Sequence, residues 1–288
     1  MPEINFLNRM EKAPDLPVKI YSLQRAGVST RKVLEFAKQM GLEAVLEKAR
    51  LQTEKDRIIL AQGQILLQCF KESGGIRFID QSRWMVDDQK SDLAFDDEKA
   101  FEMARAIIKK HKLAKADEFK PLKVTHLHVG SMDEKMKNVQ ERVIDAGVIF
   151  QRMVDGVPVL GPGGKLMIFL DAEGGMTGLE KIWRPIQEVF RKVEGLREPK
   201  LAENQLVRFL KTRGIQKADV ESAEFGYFEL GWHDRQQTLQ PAYVFKLRLP
   251  LNEGEGYMKS AFVVEAAKNA VGTLIRYKRV MEEQPPRK

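Results

Sequence analysis

The stretch at 143–187 constrains the fold more than any other part of this chain of 288 residues. Apolar and polar residues alternate there over short runs, and side chains on a β-strand change face at every residue. Each run stops at a turn signal: Asp155-Gly156, then Gly161-Pro162-Gly163-Gly164, then Gly174-Gly175. An Asp-Gly pair between such runs favours a type I′ turn, in which both central residues have positive φ. The stretch therefore predicts an antiparallel meander.

Composition places the chain among ordinary globular proteins, with 43% apolar and 31% charged residues. No apolar run reaches the roughly 18 residues that a membrane-spanning helix needs. The first residues also lack the apolar core of a secretory signal, so we expect a cytoplasmic protein without membrane contact. The single cysteine, Cys69, lies in the apolar run ILLQCF, which predicts a buried and unreactive thiol.

The net charge of +7 permits an acidic partner. The 48 basic residues are spread among 41 acidic ones. The densest basic run, KKHKLAK at 109–115, is typical of a helix end, where cations oppose the helix dipole. Phosphate recognition favours a sharper basic face, so nucleic acid is not the partner that this sequence predicts.

Helix and strand patterns follow one another in the same order three times. This order predicts three domains, at 1–90, 91–197 and 198–288, of which the first fits the repeat least well. Ser29 and Asp96 are suited to cap the helices of the first two domains, because their side chains can accept a backbone N–H at a helix start. A helix followed by antiparallel strands can bury one face of each element.

The third domain is predicted to begin with a helix at 201–213. Its strand-like runs are VESAEFGYFELGW and PAYVFKLRLPL, and a further strand is expected at 257–265. After this strand the apolar spacing favours a helix, and we expect the last residues, QPPRK, to be disordered.

The helix DEKAFEMARAIIKK, followed by VIFQRMVDGVPVLGPGGKLMIFLDAEGG, resembles PepSY-like modules and the related propeptide modules of thermolysin-type and fungalysin-type proteases. The family pattern is matched approximately by Phe150, Asp155, Gly156, Pro158, Val159, Gly161, Ile168 and Gly174. The third domain, with GYFELGW and LQPAYVFKLRL, looks like a second module of this kind. The resemblance covers 92–265, and 17–88 by architecture alone.

This resemblance implies an α+β fold of tandem modules, each with one helix packed on an antiparallel three- to four-stranded sheet of PepSY/cystatin-like form. Such modules act as inhibitors, as chaperones of a linked enzyme or as regulators. By resemblance, we expect a non-catalytic binding or regulatory protein without a cofactor. It would recognise a peptide or protein partner through sheet edges or a groove between modules. The chain departs from the family in showing no leader and no HExxH peptidase motif.

Aromatic and polar residues near strand ends are candidates for a ligand site, although packing is an alternative role for each of them. The candidates are Trp183, Arg184, Tyr227, Trp232, Gln240 and Tyr243. They would also suit a second function, an enzyme of a small-molecule pathway with a pocket between the modules. In that case His233 could transfer a proton and Arg184 could hold an anion.

Two further motifs bear on metal and phosphate chemistry. His126 and His128 lie two apart on a predicted strand and so share a face, a spacing that can supply two metal ligands. Because no Cys or His cluster completes such a site, we expect no metal centre. The glycine-rich turn at 161–165 ends in a lysine but lacks the spacing of a phosphate-binding loop.

Overall fold

A computed structural model describes residues 3–8, 10, 17–84, 93–132, 139–251, 256–272, 274 and 277–279. These residues form four α-helices: α1 (Thr30–Gln39), α2 (Glu43–Leu46), α3 (Asp97–Lys110) and α4 (Pro199–Thr212). The first eight strands are β1 (Glu3–Phe6), β2 (Lys19–Leu23), β3 (Arg50–Thr53), β4 (Arg57–Gln62), β5 (Ile65–Phe70), β6 (Ile76–Asp80), β7 (Phe119–Met132) and β8 (Val139–Val154). The others are β9 (Val157–Leu160), β10 (Lys165–Asp171), β11 (Met176–Ile182), β12 (Ile186–Lys192), β13 (Lys217–Phe228), β14 (Thr238–Pro250), β15 (Tyr257–Glu265) and β16 (Tyr277–Arg279).

All sixteen strands belong to one hydrogen-bonded sheet, in the order β12-β2-β14-β13-β9-β8-β10-β11-β6-β5-β4-β3 along its main path. Four strands lie off this path: β1 pairs with β13, β7 with β8, and β15 with both β14 and β16. The sheet is mixed, because β13 pairs in parallel with both β1 and β9 while the other pairs are antiparallel. We call β3–β8, β10 and β11 the first half-sheet, and β1, β2 and β12–β16 the second half-sheet. Strand β9 connects the two.

The fold class predicted from the sequence, tandem modules of one helix on a separate three- to four-stranded sheet, is wrong. Strand β6 pairs with β11, for example Ile79 with Gly178, so strands from two predicted modules share one sheet. Strand β2 likewise inserts between β12 and β14. Alternating polarity predicts where strands form, but edge pairing depends on contacts between distant segments, which the local pattern does not encode.

Several local predictions are confirmed. The Ser29 side chain accepts a hydrogen bond from the Lys32 N–H at 3.4 Å, and Asp96 accepts one from the Lys99 N–H at 2.9 Å, so both residues cap helices as expected. Asp155 has φ +49° and Gly156 has φ +76°, as a type I′ turn requires.

The end of the chain is confirmed only in part. The strand expected at 257–265 is β15. The helix expected after it is absent from the described residues beyond 265, where Tyr277–Arg279 instead adds a short strand to β15. The expected disorder of QPPRK falls outside the described residues.

Three apolar clusters of buried residues stabilise the sheet, and helices contribute to the two larger ones. On the first half-sheet, α1 and α3 contribute Val33, Ala104 and Ile108, which are buried together with Ile168 of β10. This core therefore combines residues from both 1–90 and 91–197. On the second half-sheet, α4 contributes Ala202, Leu206 and Leu210, which pack with residues of β2 and β13–β15. Burial of these apolar faces holds each helix against its strands.

Candidate functional site

A buried cluster of charged residues lies where the two half-sheets meet. Glu229 follows β13 and has no exposed surface, and Arg184, just after β11, is only 2% exposed. The Arg184 Nη1 lies 3.3 Å from Glu229 Oε1, and the Arg184 backbone N–H donates to the same oxygen at 2.7 Å. Arg152 of β8 approaches the other carboxylate oxygen, with Nη1 to Oε2 at 3.3 Å. We call Arg152, Arg184 and Glu229 the charged cluster.

The guanidinium of Arg184 is also hydrogen-bonded to the loop that follows β13. Its Nη1 donates to the Leu230 carbonyl at 2.7 Å, and its Nη2 donates to the carbonyls of Gly231 at 2.7 Å and Asp234 at 2.6 Å. Arg152 in turn donates to the Arg184 carbonyl at 2.9 Å. The charged cluster therefore binds strands β8 and β11 to the 230–234 loop, and its hydrogen-bonding groups face protein rather than solvent.

Burial dominates the electrostatics of this cluster. Loss of water raises the pKa of the Glu229 carboxyl, although contact with Arg152 and Arg184 opposes the rise. Burial also lowers the pKa of the Arg184 guanidinium. An ion pair of this kind is costly to break, because removal of one partner leaves an unpaired charge in the interior.

Trp232 and His233 lie beside this cluster and contact the first half-sheet. The Trp232 ring packs against Phe70 at a tilt of 39°, with ring centroids 4.6 Å apart, and the imidazole of His233 meets the same ring edge-on at 5.1 Å. The exposed His233 Nδ1 lies 3.0 Å from an Asp56 carboxylate oxygen. Trp183 packs under Arg152, whose guanidinium lies 5.5 Å from the indole ring. The contacts of Trp232 and His233 join the loop after β13 to the first half-sheet.

The other three ligand candidates lie in the core of the second half-sheet. The hydroxyl of Tyr227 accepts a hydrogen bond from the Lys19 backbone N–H at 3.2 Å. The hydroxyl of Tyr243 donates to the Arg197 carbonyl at 2.6 Å.

Gln240 is equally enclosed. It is 1% exposed and makes two hydrogen bonds with the backbone of Val271, at 2.9 and 3.0 Å. The structure therefore brings together Trp183, Arg184, Trp232 and His233 but separates them from Tyr227, Gln240 and Tyr243, and six of the seven are at least partly buried by protein.

The two histidines proposed as weak metal ligands have different carboxylate partners. His126 Nε2 lies 3.1 Å from Asp97 at the start of α3, and His128 Nδ1 lies 3.0 Å from Glu141 of β8. Within the described part of the chain, no group of three or more His, Cys, Asp or Glu side chains has the geometry of a metal site.

Arg152 and Glu229 are not identified as a buried pair by the sequence analysis. Each is a lone charged residue within an otherwise apolar strand sequence, VIFQRMV and GYFELGW. Charged side chains in such positions are rarely buried unless they are paired, so this pattern was the signal that could have identified them.

Among the described residues, two neighbouring surfaces could take up a partner. The first is the outer edge of β7, a strand of 14 residues that pairs only with β8 among the described strands. The second is a cleft of about 770 Å³ beside the end of α3, and Phe119 at the start of β7 is one of its walls. Its other lining residues are Arg105, Ile108, Lys109, Lys112, Leu113, Ala114, Lys115, Ala116 and Glu118.

Comparison with known proteins informs the fold alone. Neither the models of known protein families nor the curated proteins give a match to this chain. Among solved structures, the chain is similar to an uncharacterized protein from Eubacterium rectale ATCC 33656, with a TM-score of 0.58 and 12% sequence identity. That similarity covers 92% of this chain and 86% of the other. None of the helices in the described residues is long and apolar enough to cross a membrane.

Proposed function

We propose that this protein is a non-catalytic binding or regulatory protein that takes up an extended segment of a peptide or protein partner along the outer edge of β7. Addition of a strand to an exposed sheet edge is a common mode of peptide recognition, in which backbone hydrogen bonds supply affinity. The observation that carries the proposal is the stretch of β7 between Lys123 and Leu127, which is regular and whose outer edge pairs with no other described strand. The relation to PepSY-like modules stays a prediction and is not needed for this argument.

The free backbone groups of β7 can be assigned from the pairing of its neighbour. In an antiparallel pair, the backbone groups of successive residues point alternately to the two sides of the strand. The Arg152 N–H of β8 donates to the Gly164 carbonyl at 2.8 Å, on the side of β10. Every second residue along β8 directs its backbone groups to the same side, so the N–H and C=O of Ala146 also point toward β10. Its partner in β7, His126, and by the same count Val124, therefore direct their N–H and C=O groups away from β8.

The other edge strands of the sheet are protected against pairing with a further strand. The outer edge of β7 is protected only in part. Natural proteins protect edge strands by short length, bulges and charge. Strand β3 has only four residues, and the pairing of β12 with β2 is irregular at two places. Strand β7 also has two irregularities, after Pro121 and after Leu127, but the residues between them pair in regular register with β8. That regular stretch is long enough for several hydrogen bonds to an added strand.

The charged cluster argues against the alternative of an enzyme with a pocket between modules. The guanidinium of Arg184 is enclosed, and both of its Nη atoms donate to protein groups while its Nε is buried without a hydrogen-bond partner among the described residues. The imidazole of His233 is exposed and paired with Asp56. A closed contact of this kind is what a scaffold needs, since a catalytic pocket requires groups that can reach a substrate.

The test is selection of peptides from a random displayed library on the wild-type protein and on His126→Pro. Proline removes the outward N–H of His126 without removing a hydrogen bond to β8, and proline is tolerated at such edge positions. His126→Thr is the matched control, because it also loses the contact with Asp97 but keeps the N–H. We expect peptides with alternating apolar residues to be enriched on wild type and on His126→Thr, and about tenfold less on His126→Pro. Equal enrichment on all three proteins would overturn the proposal.

A further inference from the structure

We infer that the cleft at the end of α3 binds acidic side chains of the same partner segment, so that the partner is an extended chain with Asp or Glu residues at one end of the part that pairs with β7. This inference rests on the proposed function and specifies the chemistry of the partner. Phe119 belongs both to β7 and to the wall of the cleft. A strand added to β7 would therefore reach the cleft at the Phe119 end.

The charge of the cleft is the first argument. Four cationic side chains line it, those of Arg105, Lys109, Lys112 and Lys115, and all four residues are exposed. Within the described residues, none of them forms an ion pair with a carboxylate. Glu118 also lines the cleft, and its carboxylate accepts the Lys115 backbone N–H at 2.9 Å. The cleft thus carries an excess of positive charge, which would attract an anionic ligand.

The shape of the cleft favours a peptide over a nucleic acid. Its floor is apolar, because Ile108 and Leu113 are buried there and the Phe119 ring lies against Phe150 at 5.1 Å. Cations around an apolar floor suit a segment in which an aliphatic or aromatic side chain is flanked by carboxylates. A phosphate backbone would instead follow a continuous basic stripe. The volume of about 770 Å³ is enough for a few side chains.

The direction of the partner follows from the sheet. All pairs of the first half-sheet are antiparallel, and antiparallel pairing is slightly more stable per residue. A partner strand that runs antiparallel to β7 has its C-terminal end at Phe119. We therefore expect the acidic residues of the partner to follow, rather than precede, its strand-forming part.

The experiment repeats the peptide selection on two double variants of equal charge. Lys109→Glu with Lys112→Glu reverses two cations of the cleft. Lys110→Glu with Lys211→Glu reverses two exposed lysines in the last turns of α3 and α4, outside the cleft, and controls for net charge and for the helix dipole. Circular dichroism and thermal unfolding of each variant establish that it is folded.

In peptides selected on wild type and on the control, Asp and Glu should be at least about threefold more frequent at the C-terminal end than in the unselected library. This preference should vanish on the cleft variant. The most enriched peptide, labelled with fluorescein, should bind the cleft variant about tenfold more weakly by anisotropy, which corresponds to about 1.4 kcal/mol. An equal frequency of Asp and Glu in the peptides selected on wild type, control and cleft variant would overturn the inference while leaving strand addition to β7 intact. Equal peptide enrichment on wild type and on His126→Pro would overturn the proposed function itself. Tighter binding of a single-stranded oligonucleotide than of this peptide, weakened only by the cleft variant, would assign the cleft to nucleic acid and overturn the inference.

Discussion

Arg184 and Glu229 are 45 residues apart in sequence and share two contacts in the structure, through the guanidinium at 3.3 Å and through the backbone N–H of Arg184 at 2.7 Å. Both residues are almost fully enclosed. Their contact joins the end of β11 to the end of β13, which belong to different half-sheets. The pair therefore fixes how the two halves of the sheet meet.

Glu229→Gln should strongly destabilise the protein. Removal of one member of a buried ion pair costs about 3 to 5 kcal/mol, because the remaining charges lose their partner. Urea denaturation gives the free energy of unfolding. Glu188→Gln on the exposed strand β12 is the control, and it should change the value by less than about 0.5 kcal/mol.

A loss below about 1 kcal/mol for Glu229→Gln would show that the carboxylate charge is not needed. The triple variant Arg152→Met, Arg184→Met and Glu229→Leu separates charge from shape. It should recover only part of the stability that Glu229→Gln loses. Apolar residues of similar volume can replace a buried ion pair, but the carbonyls of Leu230, Gly231 and Asp234 lose the donors that Arg184 supplies.

Gly226→Ala should weaken the parallel pairing of β9 with β13. A methyl group at Gly226 would lie 2.4 Å from the Pro158 carbonyl oxygen and 2.7 Å from a Leu160 side-chain carbon. Such overpacking costs about 1 to 3 kcal/mol, because the β9 backbone must move. At Gly195 the nearest atoms belong to the Lys268 side chain, at 3.5 to 3.7 Å, so Gly195→Ala is the matched control. Equal midpoints of denaturation for the two variants would contradict the close approach of β9.

Leu206→Ala should loosen α4 from the second half-sheet. Leu206 is fully buried on α4, while Leu201 of the same helix is 52% exposed. Truncation of a buried leucine costs about 2 to 5 kcal/mol, since it removes apolar contacts and leaves a cavity. Leu201→Ala should cost less than about 0.5 kcal/mol. Thermal unfolding of the two variants side by side tests the burial of this face of α4.

The stability of the protein should depend on Lys181 at alkaline pH. Burial, together with the charge of Arg152, lowers the pKa of the Lys181 amine from 10.5 to about 8. Between these two values the unfolded chain holds a proton that the folded protein has released. Lys181 therefore makes the free energy of unfolding increase as the pH rises through this window, by up to about 1.4 kcal/mol per pH unit.

Lys181→Met removes this contribution, so its stability should rise less steeply with pH than that of wild type. Lys211→Met, which removes one exposed lysine, is the control. Urea titrations at several pH values across the window give both slopes. Identical slopes for Lys181→Met and wild type would show that the folded protein does not favour the neutral amine.

Cys69 should react with thiol reagents only after unfolding. The side chain is buried on β5, and burial raises the pKa of its thiol to about 12. Thiolate is the reactive form, so a maleimide should modify the native protein at least about a hundredfold more slowly than the urea-unfolded protein. Rapid modification under native conditions would show that β5 is accessible.

The sequence by itself determined the features that depend on neighbouring residues. Ser29 and Asp96 cap their helices because each side chain reaches a backbone N–H three residues ahead. Asp155-Gly156 turns the chain because these two residue types tolerate positive φ. The burial of Cys69 followed in the same way from the apolar run around it.

Only the tertiary structure decided how these elements combine. The pairing of Ile79 with Gly178 and the contact of Arg184 with Glu229 join residues far apart in sequence, and an alternating strand pattern is equally compatible with many partners for each edge. Likewise, the outer edge of β7 and the cations beside it became a candidate binding surface only once the pairing of β7 with β8 was known. Local side-chain chemistry specifies the elements, whereas long-range burial of apolar area and pairing of backbone groups select one arrangement of them.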